Sequence, residues 1–487
     1  MLYITDKQKI SYSIVVFALI LFSSLILWNA NWVFELFWAD DYQFVSTTAI
    51  GRPSHAYTGV GRFWPLGLCD YCLLLLIPYG TTVTAHLIYN CVTMIISSLL
   101  FFSFLRNILK NNEIVSVFCM LILFSLSSFV LIHMVCIYPE REMFLMLSVF
   151  LFFYQKARNG SEKFLNYVIA FIAAAYTTYL KEPVFGMWIV FALSNLIFGT
   201  SVERKFNFAL LLNSSIWIVI YTYRTLFRDR SLIDGGSYAG ISSMNFNTLF
   251  NNFLCFFNKE PILYLLLIIA IVRTFIILKD RKQYNSITDA ALFAGVGYSF
   301  AYVLLNMQMN HYSFPSVLLE IPAFAIMLAN SGLQRLLVCV PVLTSVYSIG
   351  NSILWMNNIF IHRENDPKMF EQLIAEQKSG KQILWITEPG KEVITKQNSR
   401  EGDQMRFRRY QIFLDYYAGY HEKQHFPFEK VSDYSKIKKN TIVICSNETL
   451  KSKYGEEIIE KINQVGLKLI HENQELETKI FLDPSNK

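Results

Sequence analysis

Trp38-Ala39-Asp40-Asp41-Tyr42 stands just past the first long apolar stretch of the sequence, residues 11–33. Two adjacent carboxylates there border what the apolar stretch predicts to be hydrocarbon. Ionisable groups in that setting are costly and mark function. Two like charges side by side also raise the pair's proton affinity, as a general base or a divalent-cation site requires. The same dipeptide reads equally as an acidic end where an apolar helix meets water. The surrounding sequence has to separate the two readings.

Composition decides the setting first. Of 487 residues, 53% are hydrophobic and 16% aromatic, and only 16% are charged. The apolar residues come in blocks of about 17 to 23, enough to cross a bilayer as helix. Eleven such spans are predicted, at 11–33, 81–105, 114–135, 140–156, 164–180, 183–199, 207–226, 262–279, 288–306, 314–331 and 335–357. The chain therefore reads as a polytopic α-helical membrane protein. Trp28-Asn29-Ala30-Asn31-Trp32 offers no small-x-small cleavage site, so the first block reads as an uncleaved span and not as a signal peptide. The net charge of +6 is scattered through short loops, which excludes a nucleic-acid partner and leaves the lipid bilayer as the bulk one. Cys91, Cys119, Cys136 and Cys339 read as buried thiols, and no disulfide framework or Cys/His metal spacing is present. Cys69-Asp70-Tyr71-Cys72 is a CxxC by form alone.

Cations set the predicted orientation. One family of loops holds Lys7, Lys9, Arg106, Lys110, Lys156, Arg158, Lys163, Arg204, Lys205, Lys279, Arg281, Lys282 and Arg335, which places the N-terminus in the cytoplasm. An odd number of spans then puts the C-terminal region outside the cytoplasmic (inner) membrane. The outer face would hold loop 34–80, the turn His133–Glu142, the turn Leu180-Lys181-Glu182-Pro183, loop 227–261 and Asn306–Pro315. Residues 66–79 read as a loop or as a re-entrant or interfacial helix. Functional side chains favour loops placed on a rigid scaffold, so the chemistry is expected on that face. Seven cations break the positive-inside pattern there: Arg52, Arg62, Arg141, Lys181, Arg224, Arg228 and Arg230. Together they suit a phosphate at the membrane surface.

Other outer residues carry simpler expectations. Glu140 and Glu142 follow Pro139 in a first helical turn, where the helix dipole favours acids. His86 and His133 read as hydrogen-bonded packing residues. Trp38 and Trp64 read as interface-belt residues or sugar platforms. The run from Ser242 to Phe257 reads as a helix in the interface, packed on the bundle or covering a lipid-linked substrate. Lys181-Glu182 reads either as a turn ion pair beside a helix-starting proline or as part of a site.

Two domains are predicted: a transmembrane bundle over 1–362 and a soluble extracytoplasmic α/β domain over 363–487. In the second, 381–387, 441–446, 467–471 and 478–482 read as strands, and 366–378, 403–419 and 448–463 as helices. It holds no Gly-rich phosphate loop or nucleophile elbow, so recognition or stabilisation is its expected role.

Three features in order then carry a resemblance. Asp40-Asp41-Tyr42 follows the first span, Gly61-Arg62-Phe63-Trp64-Pro65-Leu66 precedes the second, and His311-Tyr312-Ser313-Phe314-Pro315 opens a late one. Over residues 1–357 the chain resembles the GT-C superfamily of integral-membrane glycosyltransferases, which includes protein O-mannosyltransferases, aminoarabinose transferases of lipid A and phage-type O-antigen glucosyltransferases. Lys181-Glu182-Pro183 resembles a Lys-Glu element of bacterial relatives. His311 departs from the pattern, since many members carry Arg there, and this makes its charge depend on pH.

The resemblance implies transfer of a sugar from a polyprenyl-phosphate-linked donor to a glycan, glycolipid or protein acceptor outside the membrane, usually with inversion. Asp40 matches the first acid of the family pair and is the expected base, because an acceptor hydroxyl needs a carboxylate to take its proton. Asp41 would raise its partner's proton affinity, orient it, or join it in holding a divalent metal ion. Arg62, Arg141, Lys181 and Arg224 are the expected partners of the departing phosphate, with Glu182, His311 and Tyr312 beside the donor.

Two other classes fit the composition: a flippase or transporter of lipid-linked saccharides, and a polysaccharide polymerase or ligase. A transporter more often carries mid-helix charges or inverted repeats, which the sequence lacks. A polymerase would carry a large outer loop rich in Arg and His and no acidic pair after the first span.

Overall fold

All eleven apolar segments contain helix in the computed structural model, which describes residues 6–28, 57–59, 62–77, 83–136, 138–160, 162–199, 203–224, 245–330, 334–390, 406–407, 410–411, 414, 428–473 and 477–484. The chain divides into two units, a bundle that ends at Ile359 and a C-terminal unit from Phe360 to Lys487.

The bundle's helices are α1 (Asp6–Leu27), α2 (Val83–Ile108), α3 (Glu113–Ser125), α4 (Ser127–Met134), α5 (Glu140–Asn159), α6 (Lys163–Thr178), α7 (Val184–Phe198), α8 (Arg204–Thr222), α9 (Phe246–Lys259), α10 (Ile262–Lys279), α11 (Thr288–Leu304) and α12 (Phe314–Asn330). Helix α13 (Gln334–Lys378) runs across the boundary between the units. Among the described residues five helices are long and apolar enough to cross a membrane, or six when α3 and α4 count as one bent span. The protein is a multi-pass membrane protein. Prolines 139, 183 and 261 stand immediately before α5, α7 and α10, where a fixed φ favours helix entry and no N–H is missed. Helix α5 packs against α2, α6 and α12.

One segment departs from its expected form. The span read at 114–135 is two helices bent by 65°. Leu126 is extended between them, and the break is stabilised from elsewhere in the bundle. The buried Glu260 carboxylate accepts the Ser128 N–H at 2.8 Å and the Ser127 hydroxyl at 2.7 Å, and takes the Ser348 hydroxyl at 3.0 Å on its other oxygen. An acid at a helix N-terminus satisfies orphan donors and complements the dipole. Ser127 in turn accepts from the Asn310 amide at 2.9 Å, which ties the break to the turn Asn310–Ser313.

Loop 34–80 contains a hairpin that the sequence did not announce, in which β1 (Tyr57–Gly59) and β2 (Arg62–Trp64) pair Gly59 with Arg62. Within the segment 66–79, read as a loop or a re-entrant or interfacial helix, a 3-10 helix covers Cys69–Leu76. Cation-rich turns elsewhere are stapled by ion pairs: Arg106 with Glu113, Arg158 with Glu203 and Arg273 with Asp289. Cys91, Cys119 and Cys136 are buried as expected, but Cys339 is exposed, because its face of α13 packs against nothing described.

The C-terminal unit is a five-stranded sheet of β3 (Gln382–Ile386), β4 (Phe428–Val431), β5 (Thr441–Ser446), β6 (Lys468–Asn473) and β7 (Thr478–Leu482) in the order β4-β3-β5-β7-β6. β3 runs parallel to β4 and β5, while β7 is antiparallel to β5 and to β6. One face packs Leu384, Ile386, Val443 and Phe481 on Ile458 and Ile462 of α15 (Gly455–Gln464). On the other, Trp385 meets Tyr410 at 5.3 Å and Tyr410 meets Phe370 at 5.5 Å. The helix read at 448–463 is interrupted into α14 (Asn447–Lys451) and α15. At Gly455 a Cβ would stand 1.9 Å from the Leu450 carbonyl oxygen, so only glycine permits that junction.

Gly295 on α11 tests the bundle's packing. A Cβ there would come within 2.6 Å of Glu320 Cγ and 2.8 Å of the Ser316 carbonyl oxygen. Gly295→Ala is expected to cost about 1–3 kcal/mol of stability as overpacking, whereas Gly186→Ala, with nothing within 4 Å, should be neutral or stabilise by up to ~1 kcal/mol. Thermal unfolding of the two variants in detergent checks the contrast.

Candidate functional site

Three consecutive charged residues open α5, and all three are buried: Glu140, Arg141 and Glu142. A dipole rationalises acids in a first turn, but burial of charge requires partners with good geometry. Each of the three has found a different one.

Arg141 is fully buried and reaches the Asp70 carboxylate through both terminal nitrogens, at 2.6 and 3.0 Å. Its guanidinium lies 4.4 Å from the Tyr71 ring centroid and 5.3 Å from that of Tyr89, so the fork is sandwiched as well as paired. Glu140 takes the Lys181 ammonium, which also lies 4.2 Å over the Tyr312 ring. Glu142 faces backbone. It accepts the N–H of Leu68 at 2.7 Å and of Asp70 at 3.1 Å, together with the Tyr176 hydroxyl at 3.1 Å.

Aromatic rings wall this cluster. Tyr312 stacks on Tyr302 at 4.4 Å, and His311 stacks on Tyr138 at 3.8 Å. Tyr298 donates to the Tyr302 hydroxyl at 3.2 Å. Beside them Cys69 lies 2.8 Å from the Tyr176 hydroxyl. Burial pushes the Cys69 thiol up to about 11, with Glu142 and Asp70 adding to the effect, so it is a neutral thiol at pH 7.

Five residues expected from sequence thus lie in this buried region: Arg141, Lys181, Glu182, His311 and Tyr312. Lys181 and Tyr312 are in direct contact, and Arg141 follows Lys181's partner in the chain. Arg224 is half-buried in the turn after α8. Arg62 lies on β2, and its side chain is not described; Asp40 and Asp41 lie outside the described residues. Among the described residues no group of three or more His, Cys, Asp or Glu is placed to hold a metal ion.

Two features were not anticipated. Asp70 is a central partner, although in the sequence it is only a residue between the cysteines of a CxxC. Glu140 and Glu142 are buried acids, one ion-paired and one bound to backbone, where the sequence suggests a helix-dipole role. Lys181 likewise pairs with Glu140 across the bundle and is no exposed turn residue. Signals existed: Asp70 is the lone charge of the apolar run 66–77, and charges at 140, 141 and 142 point to too wide an arc of helix for all to meet water.

Among the described residues Asp70, Glu140, Glu142 and Glu182 stand against Arg141 and Lys181, four acids to two cations. Glu140 Oε2 and Arg141 Nε are among the buried polar atoms that make no hydrogen bond, and such atoms are what a ligand or water satisfies.

Removal of one partner should reveal the pairing. Arg141→Ala leaves Asp70 uncompensated and is expected to cost about 3–5 kcal/mol, with part recovered when Asp70→Asn is added. A double-mutant cycle on unfolding in detergent measures the coupling; additivity would mean that the pair is not a unit.

No protein-family model and no curated protein matches the sequence. Solved structures do. ArnT from Cupriavidus metallidurans bound to undecaprenyl phosphate is 10% identical with a TM-score of 0.51, over 98% of each chain. The same protein in its apo state is 11% identical with a TM-score of 0.49 over 98% of each chain. The Archaeoglobus fulgidus oligosaccharyltransferase in complex with Zn and sulfate is 12% identical, with a TM-score of 0.44 over 97% of this chain and 74% of that one. At such identities the likeness is one of fold: along nearly its whole length this chain is similar in fold to the ArnT structure bound to undecaprenyl phosphate.

Proposed function

We propose that this protein transfers a sugar from a polyprenyl-phosphate-linked donor to a glycan, glycolipid or protein acceptor at the outer face of the cytoplasmic membrane. The observation that carries the reading is a chain-long fold likeness to a structure bound to undecaprenyl phosphate. The buried charged cluster at the start of α5 supports it. In this reading the chain crosses the membrane eleven times, with its N-terminus in the cytoplasm and its C-terminal unit outside.

The chemistry is a single displacement. The acceptor oxygen forms a bond to the anomeric carbon while the bond from that carbon to the phosphate oxygen breaks, which inverts the centre. Asp40 takes the acceptor's proton, and the bonding pair leaves on the polyprenyl phosphate. Asp41 raises the proton affinity of Asp40 or shares a divalent cation with it. Cations then stabilise the charge that grows on the phosphate.

The geometry refines the division of labour among the cations. Arg141 and Lys181 are held in fixed orientations by Asp70 and Glu140, so they meet the donor preorganised. Their charge is also already balanced. Arg141 retains an unpartnered Nε, one donor for a phosphate oxygen. In a region where carboxylates exceed cations, the phosphate needs further positive charge, and Arg62 and Arg224 or a divalent ion supply it. Glu182 orients Lys181 or meets a sugar hydroxyl, while His311 and Tyr312 form the aromatic floor.

Glycan and glycolipid mass spectrometry of cells with and without the protein should differ by one sugar. Asp40→Asn should lower turnover by about 10²-fold or more while undecaprenyl phosphate still binds; continued transport of a lipid-linked saccharide by that variant would favour a transporter instead. Dialysis against EDTA should abolish turnover, and restored Mg²⁺ or Mn²⁺ should recover it, if Asp40 and Asp41 share a metal. Unchanged turnover assigns the pair to proton transfer alone.

A further inference from the structure

Leu68 has a left-handed backbone, φ 65° and ψ 12°, a conformation that residues with a branched side chain rarely adopt. The 3-10 turn that follows makes the N–H groups of Leu68 and Asp70 converge. Alternation of left- and right-handed residues in this way builds a backbone nest for an anion. The nest is filled by Glu142, whose two oxygens accept those N–H groups at 2.7 and 3.1 Å. Strained backbone persists where surroundings over-determine it, and here they do. Leu66 N–H donates to the Tyr179 carbonyl at 3.1 Å, two residues before Lys181, and Asp70 holds Arg141. Two residues before Leu66 ends the β1–β2 hairpin that carries Arg62.

We propose that Glu142 is a positioning residue: its carboxylate fills the Leu68–Asp70 nest, and this fixes the segment that seats the Arg62 hairpin, the Arg141 pair and the Lys181 turn in one donor-competent arrangement. The last clause rests on the polyprenyl-phosphate reading given above; the clamp itself does not. Glutamine cannot replace the acid. It offers one accepting oxygen where three donors converge and turns an amide N–H₂ toward a backbone N–H. No sugar or phosphate contact by Glu142 is required, which separates it from the residues assigned to the chemistry.

Cys72, half-buried on the same 3-10 helix, reports on the segment, and Cys119, buried in α3, reports on the bundle. Full-length wild type and Glu142→Gln in detergent are labelled with N-ethylmaleimide at pH 8 and mapped by peptide mass spectrometry, and undecaprenyl phosphate binding is measured on the same samples. The substitution should speed Cys72 labelling by about fivefold or more, leave Cys119 unlabelled, and weaken undecaprenyl phosphate by about tenfold, as loss of a buried hydrogen bond implies. Weakened binding at an unchanged Cys72 rate would overturn positioning and make Glu142 a direct ligand. Faster labelling at unchanged affinity would overturn the link to the donor. Wild type that does not bind undecaprenyl phosphate would sink the donor reading, and Cys72 would still decide the clamp. If Glu142→Gln exposes Cys119, Glu142→Asp is read by the same two measurements.

Discussion

Everything near the start of α5 follows from the demand that buried charge be compensated. Glu140, Arg141 and Glu142 are adjacent on one helical turn, so their side chains leave the helix in different directions. Each direction meets a different part of the bundle: Lys181 before α7, Asp70 on the 3-10 helix, and the backbone at Leu68. A hydrophobic contact is non-directional and would let these segments slide. A buried carboxylate that must meet two N–H groups would not. Buried ion pairs such as those of Glu140 and Arg141 contribute little net stability against an apolar alternative. Together with the backbone-bound carboxylate of Glu142 they are better understood as a means of setting geometry.

The same logic recurs at Glu260. There a carboxylate without a cation is satisfied by two serine hydroxyls and one backbone N–H. Its effect is to end α3 and restart α4 at a 65° bend, and through Ser127 and Asn310 to place the turn bearing His311 and Tyr312. Two buried acids on different elements therefore bear on Tyr312: Glu260 through Ser127 and the Asn310 turn, and Glu140 through the Lys181 ammonium that lies over its ring.

How far the sequence disclosed this depends on the range of the interaction concerned. Apolar blocks are local signals, and all eleven became helices; the strands at 382–386, 441–446 and 478–482 were equally plain. Short or mixed elements were not legible. Strand β4, Phe-Glu-Lys-Val, lies at a sheet edge, where charges are tolerated and blur the alternation. The three-residue strands of the Arg62 hairpin are too brief to show a period. The α3–α4 bend was hidden because its cause, Glu260, lies 132 residues from Ser128. Lys181, Glu182, Arg141, His311 and Tyr312 were singled out by residue type and by resemblance, but nothing in the chain order paired Lys181 with Glu140 or Arg141 with Asp70. Partner choice in a bundle is a long-range property, and one sequence carries no trace of it.

Balanced charge also constrains how a phosphate can be held. A ring of free cations would attract an anion strongly but would repel itself when empty, at high cost away from water. Here Arg141 and Lys181 are matched in advance, and among the described residues of the cluster the acids exceed them. An incoming anion must then share cations already engaged or bring counter-charge with it. Sharing weakens ground-state binding, while the fixed orientation of Arg141 and Lys181 is retained as charge builds on a leaving group. Preorganised dipoles and ion pairs that lose little on reaction favour the transition state over the bound substrate. Under the proposed sugar transfer the carboxylates around Arg141 and Lys181 would be no defect in an anion site. They would keep the empty site stable and hold its cations still.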